Sequence, residues 1–128
     1  MTVDPLLAPI EGCDHHEVGG LSVDVVKVGS GRLKRVVYPP GWRWSTHMKS
    51  VVGTAYCMHT HVGFLASGYL QGVYEDGCEY EVQAPAFAVV AAGHDGWVVG
   101  DEPAVWVQWD SEEGTARRFG LPERHQHR

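Results

Sequence analysis

Four side chains in the middle of this sequence are of types that bind transition metals: His47, Cys57, His61 and His94, with His59 two residues before His61. Imidazole nitrogen suits zinc, iron, copper or nickel, and a thiolate moves the preference towards zinc or iron. His59 and His61 alternate, so on an extended strand both face the same side, about 6–7 Å apart at the backbone. The chemistry implied is a divalent transition metal, zinc or iron, held by imidazole and thiolate. Each residue also has a plainer reading. Cys57 would serve as a small buried hydrophobe, and His94, directly after Gly93, as a turn histidine bonded to backbone. Lys49 is either a solvated charge or, at a cavity position, a contact for an anion or carbonyl. His15, His16, His125 and His127 lie in the chain ends and are set apart from the site.

Such side chains converge only if strands carry them, and the sequence is patterned for strands. Helical signals are scarce, while 16 glycines and 7 prolines punctuate short apolar runs, the pattern of an all-β barrel or sandwich. Leu21 to Val28 alternates and is valine-rich. Arg32 to Tyr38 is a second run, closed by Pro39-Pro40-Gly41, and an extended region is expected over residues 53–68. Tyr69 to Glu75 and Cys78 to Val82 flank Asp76-Gly77, the strongest hairpin signal present. Phe87 to Ala92, Trp97 to Val99 and Ala104 to Trp109 supply the last runs. Eight or so short strands are enough to close a small antiparallel barrel around a ligand-sized interior. The expected organisation is an arm over residues 1–20, one barrel domain over 21–111 and a tail over 112–128.

With 128 residues, one domain of this size buries about two-thirds of its unfolded surface and needs no disulfide to fold. The net charge of −6 argues against a nucleic-acid partner, because phosphate binding wants a basic face. Arg32, Lys34 and Arg35 form the one basic cluster before the tail and read as a solvated strand edge. Three cysteines are an odd, sparse set that suits a reducing compartment. No secretory leader and no apolar window approaching about 18 residues is visible, so no membrane span is expected and the default location is cytoplasmic.

Two segments carry a family resemblance. Gly41, five residues, His47, one residue, Lys49, then His61, six residues and Gly68 resembles the first motif of the cupins, with Lys49 at the second histidine and His61 at the glutamate. About eight extra residues, including Cys57, stand between them. A rival register reads Gly53, five residues, His59-Thr60-His61, with Leu65 at the glutamate. The first is preferred because it keeps Pro39-Pro40-Gly41 at the family's turn and the spacing from His61 to Gly68. Pro85 to Gly93 resembles the second motif. The family's histidine would fall at Gly96, and His94, two residues earlier, would share its face on a strand.

The resemblance implies an all-β, jelly-roll-like cupin barrel with a metal held by His47, Cys57, His61 and His94, and with Lys49 and His59 as further cavity residues. It implies a metal-dependent enzyme acting on a small molecule, through Lewis-acid lyase, isomerase or decarboxylase chemistry or oxygenase chemistry. The alternatives are a non-catalytic binding or sensor module and a metal-free barrel. Trp42 and Trp44 share one parity and His47 the other, which places the tryptophans outside the cavity. An exposed pair there, together with the family habit, predicts a homodimer.

Overall fold

The computed structural model describes residues 4–125. Nine antiparallel strands form two sheets. The larger is ordered β1 (Asp14–Val18), β2 (Leu21–Val28), β3 (Gly31–Tyr38), β9 (Ala104–Ser111), β4 (His61–Ser67), β7 (Ala86–Val90); the smaller is β6 (Glu79–Gln83), β5 (Tyr69–Tyr74), β8 (His94–Val98). Three four-residue helical turns complete the chain: α1 (Trp44–His47), α2 (Lys49–Val52) and α3 (Thr115–Arg118). The all-β expectation holds. None of the helices is long and apolar enough to cross a membrane.

Strand alternation builds a cavity between the sheets. Lys34, Val36 and Tyr38 of β3 share parity and lie opposite Gln108, Trp106 and Ala104 of β9. Leu65 of β4 continues the row beside Trp106, and Leu65 is fully buried. From the smaller sheet come Leu70, Tyr80, His94 and Gly96. The cavity, open on one side, has a volume of about 570 Å³, within the roughly 300–1,000 Å³ of small-molecule sites.

The opposite face of the larger sheet holds a separate polar core. Asp24 and Arg35 are cross-strand partners and both are buried, with Arg35 Nη2 donating to Asp24 Oδ1 at 2.9 Å. The N-terminal segment covers them: the Ile10 amide donates to Asp24 Oδ2 at 2.6 Å, and Arg35 Nη1 donates to the Leu6 carbonyl at 2.6 Å. His15 Nδ1 adds a bond to Asp24 at 2.8 Å. Burial pushes the Asp24 carboxyl up, but these donors together outweigh it and hold it below its ordinary value. The arm is thus fastened by hydrogen bonds to a buried carboxylate, and its second half pairs as β1 with β2.

Three local expectations change. Residues 53–60 form no continuous strand, and their one ladder contact is an isolated bridge at Cys57. The tryptophan pair does not lie outside. Trp42 and Trp44 are 5% and 4% exposed and line the cavity, because the chain turns helical at Trp44 and strand parity no longer applies. That removes the pair as the basis for a dimer contact. The basic cluster is not a solvated edge either. Alternation sends Lys34 and Arg32 to the cavity side and Arg35 to the buried pair outside.

The strands of the smaller sheet are most crowded where Tyr80 crosses two glycines. Gly72 of β5 pairs with Tyr80 on one side and Gly96 on the other. A Cβ at Gly72 would lie 2.1 Å from the Tyr80 ring, and one at Gly96 would lie 2.9 Å from its hydroxyl. That hydroxyl donates to the Asp95 carbonyl at 3.1 Å. Gly96→Ala is therefore expected to lose about 1–3 kcal/mol by overpacking. In a Tyr80→Phe background, which removes the colliding oxygen, most of that loss should disappear. Urea unfolding of the four proteins in this double-mutant cycle measures the coupling, and additive losses would contradict the crowding.

Candidate metal centre

Cys57, His61 and His94 come together with their ligand atoms all within 4.8 Å of one another. Each arrives by a different route. His61 is the first residue of β4, opposite Val90 of β7. His94 opens β8, on the same face as Gly96. Cys57 sits in an irregular stretch but is bridged to β8 by backbone. Its amide donates to the His94 carbonyl at 2.8 Å, and its own carbonyl accepts from Gly93 and His94 at 2.8 and 3.2 Å. This bridge holds the sulfur beside the imidazole.

Hydrogen bonds fix which ring nitrogens are free. The Ala91 carbonyl can only accept, so His94 Nδ1, 2.6 Å away, carries the proton. His61 Nδ1 donates to Gln108 Oε1 at 2.9 Å, while Gln108 Nε2 donates to the Tyr38 hydroxyl at 2.9 Å. Both histidines therefore present a bare Nε2, and His61 Nε2 lies 3.8 Å from Cys57 Sγ. Outer partners of this kind orient metal-binding imidazoles and raise their basicity. Sulfur and nitrogen ligands of a tetrahedral zinc ion stand about 3.5 Å apart, so the trio needs little movement to close on an ion.

Electrostatics point the same way. Burial drives the His61 imidazolium well below its ordinary pKa, with the neighbouring His59 and His94 adding to the effect. Burial likewise lowers His94. Both rings are neutral at neutral pH, the form that ligates a metal. Burial raises the Cys57 thiol, offset in part by the His59 backbone amide bonded to its sulfur. One soft anionic donor and two neutral nitrogens suit zinc or iron. An ion held by these three donors would have room for a further ligand from the cavity.

The remaining sequence candidates fall elsewhere or at the margin. His47 is exposed on α1, with its Nδ1 on the Arg43 backbone at 3.1 Å and its ring 6.3 Å from that of Trp42. A helical turn has replaced the strand that would have carried it inward. Lys49 is exposed on α2 and does not line the cavity. His59 does line it, with its ring 4.9 Å from His61 and its Nε2 3.7 Å from Asp110. Burial and the nearby Lys34 bring its pKa down to about 4 despite Asp110. Of the terminal histidines, His16 lines the cavity and His15 bonds Asp24. His125 stacks on Tyr74 at 4.0 Å, and His127 lies outside the described residues.

No protein-family model matches the sequence, and no curated protein matches it. Solved structures do match the fold. The cupin domain of Schizosaccharomyces pombe Cnp3 superposes with a TM-score of 0.53 at 10% identity, covering 87% of this chain and 77% of that one. The chain has the cupin fold. Oxalate decarboxylase of Lactobacillus farciminis, solved as its formate complex, gives a TM-score of 0.55 at 16% identity over 76% of this chain. This chain spans only 30% of the decarboxylase.

Sequence reasoning passed over Gln108 and Tyr38, which position His61, and Lys34 and Trp106, which share the cavity wall. Gln108 carried a usable signal, being a lone amide at an inward position of the otherwise apolar run Ala104 to Trp109. Its expected role can be measured. Gln108→Leu should weaken zinc affinity about 10–100-fold while all three ligands remain. Because both imidazoles start neutral and the thiol starts protonated, zinc uptake near pH 7 should release about one proton. Calorimetry in buffers of different ionisation enthalpy counts it, and release near zero would mean the sulfur stays out of the coordination sphere.

Proposed function

We propose that this cupin is a metal-dependent enzyme for a small organic molecule, with Cys57, His61 and His94 holding one zinc or iron ion at the polar end of the cavity. The observation that carries the reading is the convergence of these three donors, Cys57 and His94 buried and His61 half-buried, two with their outer nitrogens already engaged, on a space that opens into a cavity of about 570 Å³. An ion bound there would act as a Lewis acid, polarising a carbonyl or carboxylate oxygen of the bound molecule.

The chain's own groups define the rest. Trp42, Trp44, Val36 and Leu70 give the molecule an apolar bed that excludes water. His59, with its pKa brought down to about 4 and so neutral near pH 7, contributes a hydrogen-bonding imidazole rather than a charge. No Asp or Glu is among the residues lining the cavity. A strong general base is therefore missing from the described wall, which favours reactions driven by polarisation, such as lyase, isomerase or decarboxylase chemistry. The fold neighbour from Lactobacillus farciminis is an oxalate decarboxylase, which agrees with that class without fixing the substrate.

Metal analysis of protein carrying no affinity tag tests the reading. Wild type should hold close to one ion per chain. Cys57→Ser, His61→Ala and His94→Ala should each fall to about a tenth or less, because the remaining donors cannot complete the shell. His47→Ala and Lys49→Ala should retain the wild-type amount. Wild-type occupancy in all three ligand variants would place the ion elsewhere and overturn the proposal.

A further inference from the structure

The charge of the cavity runs against the charge of the chain. The protein carries 16 acidic residues and a net charge of −6, yet the cavity wall includes Arg32 and Lys34 and no carboxylate among the described residues. Both cations are held by one acid. Lys34 Nζ lies 2.7 Å from Asp110 Oδ2, and Arg32 Nε and Nη2 donate to Asp110 at 2.9 and 3.2 Å. Two positive charges against one negative leave one positive charge in excess beside the metal centre. Lys34 is the inner of the two, with its side chain 16% exposed against 44% for Arg32. An ammonium has three donors, and Asp110 is its one salt-bridge partner among the described residues.

A second unpaired donor belongs to the same wall. Trp106 is 3% exposed, and its indole N–H is buried with no hydrogen-bond partner. Its ring stands 5.3 Å from that of His61. Leaving such a donor unpaired costs free energy unless an acceptor reaches it. Further along the same face the polar groups stop. Val36, Val23, Leu21, Trp42 and Trp44 line the other part of the cavity.

We infer that the ligand is a small carboxylate with an apolar tail, its carboxylate held at the end of the cavity shared by Lys34 and the metal centre. This rests on the metal-binding reading above and extends it to the substrate class. A divalent ion with one thiolate ligand adds a further net positive charge to that end, so an anionic head is favoured twice over, while the apolar part of the cavity accepts only an uncharged tail.

The test compares 4-phenylbutyrate with its uncharged isostere 4-phenylbutyramide, titrated by calorimetry into zinc-loaded protein whose metal content is measured in the same samples. The carboxylate should bind about tenfold more tightly or better, the scale of one charge-assisted hydrogen bond. Lys34→Met, which keeps the stem and removes the charge, should bring the two affinities within about twofold without lowering zinc content. Lys34→Gln serves as the second variant if the first does not fold. Equal binding of acid and amide by zinc-loaded wild type, or binding of neither, overturns the carboxylate assignment and leaves the metal centre standing. Failure to retain zinc instead sinks the metal-binding reading. The preference is then read on the metal-free protein, where Lys34 alone must still favour the acid, and its absence there overturns this inference as well.

Discussion

The two-way backbone bridge between Cys57 and His94 is the contact on which the centre depends. Between the end of α2 and the start of β4 the chain has no ladder of its own, yet it runs against the barrel interior and Cys57 is buried. Buried amides and carbonyls must be paired, and β8 offers partners at its first residue. The bonds that satisfy the loop are thus the bonds that place the sulfur. Narrow antiparallel pairing brings opposed side chains close, so a thiol from an irregular segment acquires the positional definition of a strand residue. Shifting this bridge by one residue would turn Cys57 away from His94.

The larger sheet separates its charges by strand parity, and that separation matters as much as the ligands. Asp24 and Arg35 face outward beneath the N-terminal arm, where donors on all sides hold the carboxylate in its charged form. Arg32 and Lys34 line the cavity from the other face of β3, and Asp110 of β9 is buried behind them as their shared partner. Two buried ion networks thus stand on opposite sides of one sheet. A buried pair that loses one partner is strongly destabilising, so each network also fixes register. A slip of one residue on β3 would bring Arg35 into the cavity and leave Asp24 unpaired.

Much of this was legible in the sequence where periodicity and turn chemistry are strong. The alternation of Leu21 to Val28, the run to Tyr38 and the Asp76-Gly77 turn each correspond to an observed element. Parity told which residues share a face but not which face meets the cavity, and so the Arg32, Lys34 and Arg35 cluster was misplaced. Trp42 and Trp44 were assigned by strand parity across a segment that turns helical after Arg43, where the rule has no meaning. His47 lost its place in the same way. The convergence of Cys57 with His94 depends on a single isolated bridge across 37 residues of chain, and no local pattern announces it. The position two residues before the family's histidine is a different matter. Gly96 is occupied by the crossing of Tyr80, a side chain there would collide, and His94 is the nearest residue on the same face.

That displacement changes the chemistry less than it changes the motif. The cupin pattern that the sequence resembles supplies one anionic ligand, a glutamate, among neutral histidines. Here His61 stands at the glutamate position and the anionic donor comes instead from Cys57, in the segment inserted between the motif halves. A divalent ion held by this trio would meet one negative ligand and neutral imidazoles, leaving the same charge on the ion. What differs is softness, since sulfur donates more strongly than a carboxylate and selects zinc or iron over harder cations. The two cations of β3 on the cavity wall share the single carboxylate of Asp110, and the positive charge left over is what an anionic guest would meet. A thiolate fixed by backbone, rather than a carboxylate on the wall, is what allows the described lining to be free of acids.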